Sequence, residues 1–578
     1  MLSIFRLFAY LRKYAFNMFL AFIVLSISTV GILLQPKVSQ WVIDNGISAG
    51  ILKNIIIGSI GMFMFGIIGS LLNISGGYLL IKSSQGMGHD IRKKLFKKIV
   101  SFSFINFDKW RTGELLVRLN SDIYPIQMFV RMNILMILNS LLMIIGSSIF
   151  MFITNTRLAS IIVMIMGGIL IISISFATFM HPLFMKIRTK VDELNNTIQE
   201  NLAGAKIVRV FNRQQSEKEK FGSDNIDLYR ILTKVGYSFS IVMPFFIFSM
   251  NVCITLILWL GGSEIIQQYN SISGFTLGQL VAFDNYAMMT LFPIIMIGDQ
   301  LRSISMANAS ADRIITLLEE LPGIKKPDKP VAIKKIKGRI ELEGIHFGYG
   351  GAEEVLNNIN LTITPGEKIG IIGGTGSGKS SLAYLIPRFY DPQNGMISID
   401  GVDIRKYDPM ELRKHIGIVL QDIILFSGGI KKNILYGNPE GGEEIAEWAA
   451  RISQATPFLD EKGWENSLGE WGVGLSGGQR QRVAIARAIA SKPAILILDD
   501  ATSSLDLETE EKLTSSIYNE LGDSTVLIIS QKIQTIKKSD RIIVMHEGKI
   551  NGIGTHDELI AKNNIYQDIE KTQNTFTQ

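Results

Sequence analysis

The sequence predicts a two-part chain. A helical membrane domain of six spans, with long helical extensions on the cytoplasmic side, precedes an α/β domain built around a phosphate loop. Three observations predict this. Six apolar runs before Met306 each approach the ~20 residues needed to cross a bilayer. Gly373-Gly374-Thr375-Gly376-Ser377-Gly378-Lys379-Ser380 fits the pattern G-x-x-x-x-G-K-[ST]. From Gly338 onward, short apolar strands alternate with helical stretches and turns.

With 578 residues the chain exceeds a single core. Its 47% hydrophobic content is high for a soluble protein, and the apolar residues are concentrated in the first half. The net charge of +6 is therefore no nucleic-acid signature, and six spans exclude a soluble ATPase acting on DNA. The single cysteine, Cys253, lies inside an apolar run, so no disulfide or thiolate metal site is available; it is expected to pack.

In chain order, residues 1–16 form a short amphipathic basic stretch carrying Arg6, Arg12 and Lys13, suited to the cytoplasmic membrane surface. No small-residue cleavage site follows it, against a signal peptide. The expected spans are residues 18–42, 55–81, 133–154, 158–180, 239–260 and 275–297, with kinks at Pro36 and Pro244. About ten Lys and Arg residues lie between the second and third spans, and about ten between the fourth and fifth. Only Lys53 and Arg157 fall in the alternate connections. That asymmetry places both termini in the cytoplasm.

The inner connections read as helical, for example over residues 88–100 and 191–211. Helices continued past the membrane would carry tips ~25 Å or more below it, at 1.5 Å per residue. The expected tips are residues 116–126, with Asn120, Ser121 and Asp122, and residues 201–213, with Arg209, Phe211 and Arg213. They are read as docking points for the second domain. Asp284 and Asp299 fall within or beside the last span, where an acidic side chain usually faces a cavity or a partner; interfacial solvation is the alternative. Asp44, Asn45 and Gly46 close the first span with an outer turn.

The membrane domain is assigned to residues 1–310 and a linker to 311–337, where Pro322, Gly323, Pro327 and Pro330 break structure. The α/β domain occupies residues 338–578, with strands expected at 339–347, 368–372, 415–420, 494–498, 525–529 and 541–545. The phosphate loop joins the strand at 368–372 to a helix expected over 381–390, beginning at Ser381. Its glycines let backbone N–H groups close around phosphate oxygens, and the helix N-terminus adds positive potential. Lys379 would reach the β- and γ-phosphates, and the Ser380 hydroxyl would ligate Mg²⁺.

A phosphate loop alone marks an NTPase. Followed by Leu475-Ser476-Gly477-Gly478-Gln479 and then Ile495-Leu496-Ile497-Leu498-Asp499, it resembles the ABC transporter family, exporter type, over nearly the whole chain. The resemblance implies ATP and Mg²⁺ as cofactors. It makes Tyr349 the aromatic that stacks on adenine, and Gln421 the glutamine that contacts Mg²⁺ and the attacking water. Asp499 becomes the carboxylate that holds Mg²⁺ through water. Ser503 to Asp506 is similar to the loop that crosses to the opposite subunit, and Ser467 to Gly472 to the segment touching the inner tips. Family members bind head to tail, each ATP lying between one phosphate loop and the other chain's signature, so a dimer is implied.

Two positions depart from the family pattern. Hydrolytic subunits carry glutamate after the strand aspartate, where this chain has Asp500, and histidine where it has Gln531. Asp500 is shorter by ~1.5 Å. Gln531 can hydrogen-bond phosphate but carries no proton or charge as imidazole does. Together they imply a site that binds ATP and hydrolyses it slowly. The expected partner is a second, different half-subunit with glutamate and histidine at the two positions. The expected cargo is an amphiphilic drug, lipid or peptide, and the expected location a bacterial cytoplasmic membrane. A homodimer with two working sites and an ATP-gated membrane regulator are the competing readings.

Overall fold

The computed structural model describes residues 6–267, 274–350 and 353–575. The chain forms two compact units. One contains the chain up to Val100 together with Arg111–Glu320; the other joins Ser101–Trp110 to everything from Leu321 onward.

Among the described residues, the first unit holds six helical segments long and apolar enough to cross a membrane: Phe8–Ile47, Leu52–Val100, Thr112–Thr154, Thr156–Ala203, Gln214–Gln267 and Leu277–Met296. The helix Leu52–Val100 has 49 residues, and Thr156–Ala203 has 48. At 1.5 Å per residue each is ~70 Å long, more than twice the ~30 Å hydrocarbon layer. The helical extensions expected from sequence are thus unbroken continuations of the spans. Pro36 and Pro244 sit inside continuous helices, and a π-helical turn, Ile43–Ile47, follows the first. Phe246, Cys253, Ile257, Phe283 and Tyr286 are among the residues filling a shared core. Phe63, Ile74 and Met164 remain exposed on outer faces, as lipid contact requires.

The N-terminal stretch is more deeply engaged than a surface helix would be. Within it, Phe8–Tyr14 is a 3₁₀ helix, and Leu7 and Leu11 are buried. The Tyr14 hydroxyl donates to Asp90 at 3.1 Å. At the other end of the unit, the last helix runs to Glu319, past the domain limit expected at 310, because Ala311, Ile314 and Leu317 are buried there. The side chains of residues 297–302, Asp299 among them, lie outside the described residues.

The first expected tip lies elsewhere. Residues 116–126 belong to the helices Thr112–Asn120 and Ile123–Met128 of the first unit. Ile123 and Ile126 are buried, and Asp122 is paired with Arg313 and Ser310. Asn120-Ser121-Asp122 reads as a polar turn in sequence, but its carboxylate is satisfied inside the unit. The segment that joins the second unit is the preceding helix, Phe104–Lys109. The second expected tip contains the helix Ala205–Val210, which buries no side chain.

The second unit is α/β. A six-stranded sheet has the order Lys549–Gly554, Arg541–His546, Lys368–Gly373, Thr525–Ile529, Ile495–Asp499, Ile416–Val419. Its pairings are parallel except at the first edge. The strands Lys368–Gly373, Ile495–Asp499 and Thr525–Ile529 are buried along their whole length, which is why they read as unbroken apolar runs. A second, antiparallel sheet includes Ile340–Phe347, Leu356–Ile363 and Asn394–Ile399. The latter two escaped sequence reading because their buried positions alternate with Asn357, Asn358, Asn360 or an exposed Asn394-Gly395.

Candidate nucleotide-binding site

Parallel strands present their carboxyl ends on one edge, where ligands of open α/β sheets bind. The register aligns Asp499 with Ile529, Ile529 with Ile371, and Leu498 with Val419. The loops carrying Gly373–Ser380, Gln421, Asp500 and Gln531 therefore all leave the same edge of the sheet.

The phosphate loop turns through Gly378, at φ +94°. A Cβ there would lie 2.6 Å from Leu356 Cδ2 and 3.0 Å from the Val355 carbonyl. The helix it opens is Lys379–Leu385, shorter than the stretch expected to Tyr390, because Arg388 takes a left-handed conformation at φ +53°. Lys379 is buried. Its ammonium donates to the Gly373 and Gly374 carbonyls at 2.9 and 2.7 Å, and burial holds its pKa below the usual lysine range. Thr375 and Gly376 form the exposed crest of the loop, while Ser377 and Ser381 are buried beneath it.

Ser380 Oγ donates to Asp499 Oδ1 at 3.0 Å. Asp499 Oδ2 is buried without a hydrogen-bond partner, and burial raises the pKa of its carboxyl. A buried carboxylate oxygen left open beside a serine hydroxyl fits a hydrated Mg²⁺ ion, a hard cation with oxygen ligands. Tyr384, which sequence reasoning passed over as an apolar helix position, stands beside this carboxylate. Burial and the Asp499 charge raise the pKa of its hydroxyl. Tyr349 closes the other flank: its hydroxyl lies 3.1 Å from Ser381 Oγ, and its ring packs edge-on to Tyr390 at 5.2 Å.

Asp500 adopts φ +50°, a left-handed conformation that aspartate tolerates better than most residues, and its N–H donates to the Ile529 carbonyl at 3.0 Å. Burial and the neighbouring Asp499 charge raise its carboxyl pKa, while Lys532 and Lys379 oppose them. Lys532 was invisible as a site residue in sequence, having no motif of its own; it also pairs with the buried Glu510 at 3.4 Å. Gln531 and Gln421 are exposed.

The signature lies apart from this constellation. Ser476 caps the helix Gly477–Ala490, with Gln479 returning a hydrogen bond in a reciprocal capping box. Leu475 is buried, and Gly477 and Gly478 face Ser504. The loop at 503–506 is held to the signature helix by Gln481, which accepts from the Ser504 N–H at 3.0 Å and donates to Ser503 Oγ at 3.0 Å. No hydrogen bond joins residues 475–479 to the phosphate loop among the described residues.

Comparison with known proteins agrees with this division. Residues 18–294 match the ABC transporter transmembrane region, and residues 356–503 match the ABC transporter family. An uncharacterized ABC transporter ATP-binding protein, YfiB of Bacillus subtilis, is 33% identical over 572 residues, covering 98% of each chain. An ATP-dependent lipid A-core flippase of Desulfotalea psychrophila is 34% identical over 492 residues, covering 85% of each. In fold, the chain is similar to a bacterial Atm1-family ABC exporter with ATP bound, with a TM-score of 0.80 and 22% identity, covering 97% of this chain and 99% of the other. The six spans, the phosphate loop with its strand-end aspartate, and these matches establish that the chain is an integral membrane protein belonging to the ABC transporter family, its transmembrane region fused ahead of its ATP-binding domain.

Proposed function

We propose that this chain is one half of a heterodimeric exporter that moves amphiphilic small molecules, lipids or peptides, and that its own ATP site binds nucleotide and hydrolyses it slowly. The supporting observation is the composition of one sheet edge. Lys379, Ser380, Gln421 and Asp499 at that edge, with Tyr349 on the flank, form a full binding set, while Asp500 and Gln531 stand where hydrolysis needs reach and charge.

Mg²⁺, when bound by Ser380, Asp499 and Gln421, supplies charge neutralisation for the β- and γ-phosphates. The protein's residues do the rest. Lys379 and the loop N–H groups hold the phosphates, and Tyr349 stacks on the adenine. Asp500 faces the attacking water. Its raised pKa makes it a better proton acceptor, so slow turnover arises from reach, not basicity. A displacement of about 1 Å in such a group can cost ~100-fold in rate.

The intact signature, remote from this chain's own phosphate loop, serves the partner's site. The uncovered helix Ala205–Val210 offers a docking tip for the partner's ATP-binding unit. Sandwiching two nucleotides draws the tips together and opens the spans outward; hydrolysis at the partner's competent site resets them. The test is Mg-dependent ATP turnover of this chain purified alone and with its partner. Slow turnover alone and at least ten-fold faster turnover in the pair is the expected result. Brisk turnover of the chain by itself would establish the self-paired exporter instead.

A further inference from the structure

The strand Thr525–Ile529 passes through Ser530, Gln531 and Lys532 into the short helix Ile533–Ile536. A helix leaves its first N–H groups without acceptors of its own, and the side chain just before it commonly supplies one. Here that side chain is Lys532, which has donors only and makes no capping bond. The acceptor comes from 40 positions further on: the Ile533 N–H donates to Gln573 Oε1 at 2.9 Å. The other half of the same amide, Nε2, donates to the Gln531 carbonyl at 2.6 Å. A backbone N–H only donates and a carbonyl only accepts, so the two contacts fix which way the amide points.

Gln573 is anchored from behind. It follows Tyr566 and Ile569 at helical spacing on the helix Asn564–Thr575. Tyr566 is buried, with its hydroxyl 2.8 Å from His556 Nδ1, and Ile569 packs on the core that also holds Ile533. The turn is tied on its other side as well. Ser530 Oγ accepts from the Lys532 N–H at 3.0 Å and donates to Thr535 Oγ1 at 3.2 Å, and Thr535 donates to the buried Glu510 at 2.6 Å. What projects from this braced turn is the exposed Gln531 side chain, on the edge of the sheet that carries the phosphate loop.

We propose that Gln573 is a positioning residue of the nucleotide site: by bracketing the main chain on both sides of Lys532, it sets the direction in which Gln531 meets the γ-phosphate of ATP. This rests on the reading of Gln531 as a γ-phosphate contact and makes the helix Asn564–Thr575 part of the apparatus that tells ATP from ADP.

The test is equilibrium binding to the full chain, purified alone in lipid nanodiscs. The probes are the Mg complexes of adenylyl imidodiphosphate, a non-hydrolysable ATP analogue, and of ADP, which has no γ-phosphate. Gln531→Ala is expected to weaken the analogue about five-fold and leave ADP within about two-fold. Gln573→Ala should do the same through the backbone. The double variant should bind the analogue within about two-fold of Gln531→Ala, since both changes act on one contact. Gln573→Glu keeps an acceptor for the Ile533 N–H but cannot donate to the Gln531 carbonyl, so it too should lose the analogue and keep ADP. Equal loss of both nucleotides in the two Gln573 variants marks a merely structural role and overturns the proposal, as does full additivity in the double variant. Loss of the analogue in Gln531→Ala with none in either Gln573 variant keeps the γ-phosphate contact and removes the positioning role. Undiminished binding in Gln531→Ala removes the contact itself, and the proposal with it.

Discussion

The Tyr390 hydroxyl donates to Asp108 at 2.8 Å, across 282 positions of sequence. In the same tie, Phe104 stacks on Phe389 with ring centroids 4.1 Å apart. Asn106 adds a bond to the Leu321 carbonyl at 2.9 Å and accepts from the Gly323 N–H at the same distance. The helix Phe104–Lys109 is thereby built into the ATP-binding unit, and Tyr390 carries the contact on to the Tyr349 ring.

Phe104→Ala should therefore uncouple the transporter more than it disables the ATPase. Stacked ring pairs contribute about 1 kcal/mol beyond the area they bury. In reconstituted vesicles, ATP turnover is expected within about two-fold of wild type, while transported cargo per ATP falls several-fold. Tyr390→Phe, which removes one hydrogen bond of roughly 1 kcal/mol, should show the same direction with a smaller effect.

Restoring the two departures should restore hydrolysis. Asp500→Glu with Gln531→His is expected to raise turnover at this chain's site by about ten- to hundred-fold. The measurement is ATP hydrolysis in a pair whose other site is disabled. Either change alone should give less than the pair, since reach and charge act on the same water and phosphate.

The pH dependence at Asp499 has a definite sign. Burial raises its folded-state pKa above the unfolded value, so the folded protein binds the extra proton more readily. That carboxyl weakens the nucleotide-free fold at neutral pH, and the penalty disappears as pH falls through the raised pKa. Asp499→Asn should accordingly raise the Tm of the nucleotide-free protein at pH 7, with an advantage that shrinks on acidification. The same variant should lose the added Tm conferred by Mg-ATP, because the carboxylate that would hold the ion has been replaced. Differential scanning fluorimetry across pH, with and without Mg-ATP, reads both effects.

Where the first span ends and the last begins, Asp44 accepts hydrogen bonds from Thr276 Oγ1 at 2.8 Å and from the Gly278 N–H at 2.9 Å. Gly278 permits this approach: a Cβ would lie 2.5 Å from the Gln40 carbonyl. Asp44→Ala removes a helix-terminal acceptor worth about 1 kcal/mol. In a Cys253→Ser background, a cysteine placed at the neighbouring exposed Leu277 should react faster with an impermeant maleimide in the Asp44→Ala variant than without it. Gly278→Val should give the same acceleration through steric separation.

Much of this protein was determined by sequence alone, because some physical requirements leave local marks. A bilayer demands long apolar runs, so six spans were countable. Strands buried on both faces must be apolar throughout, so the phosphate-loop strand and the Asp499 strand stood out. Phosphate binding by backbone N–H groups demands glycines beside Lys379 and Ser380, and that spacing is visible in one dimension. The tertiary structure decided what depends on residues far apart in the chain. It placed Phe104–Lys109, not residues 116–126, in the ATP-binding unit, since Asp122 is satisfied by Arg313 while Asp108 is bound by Tyr390. It set Lys532 against Asp500. A side chain's partners, or its lack of them, follow from which surfaces meet, and no local pattern encodes that.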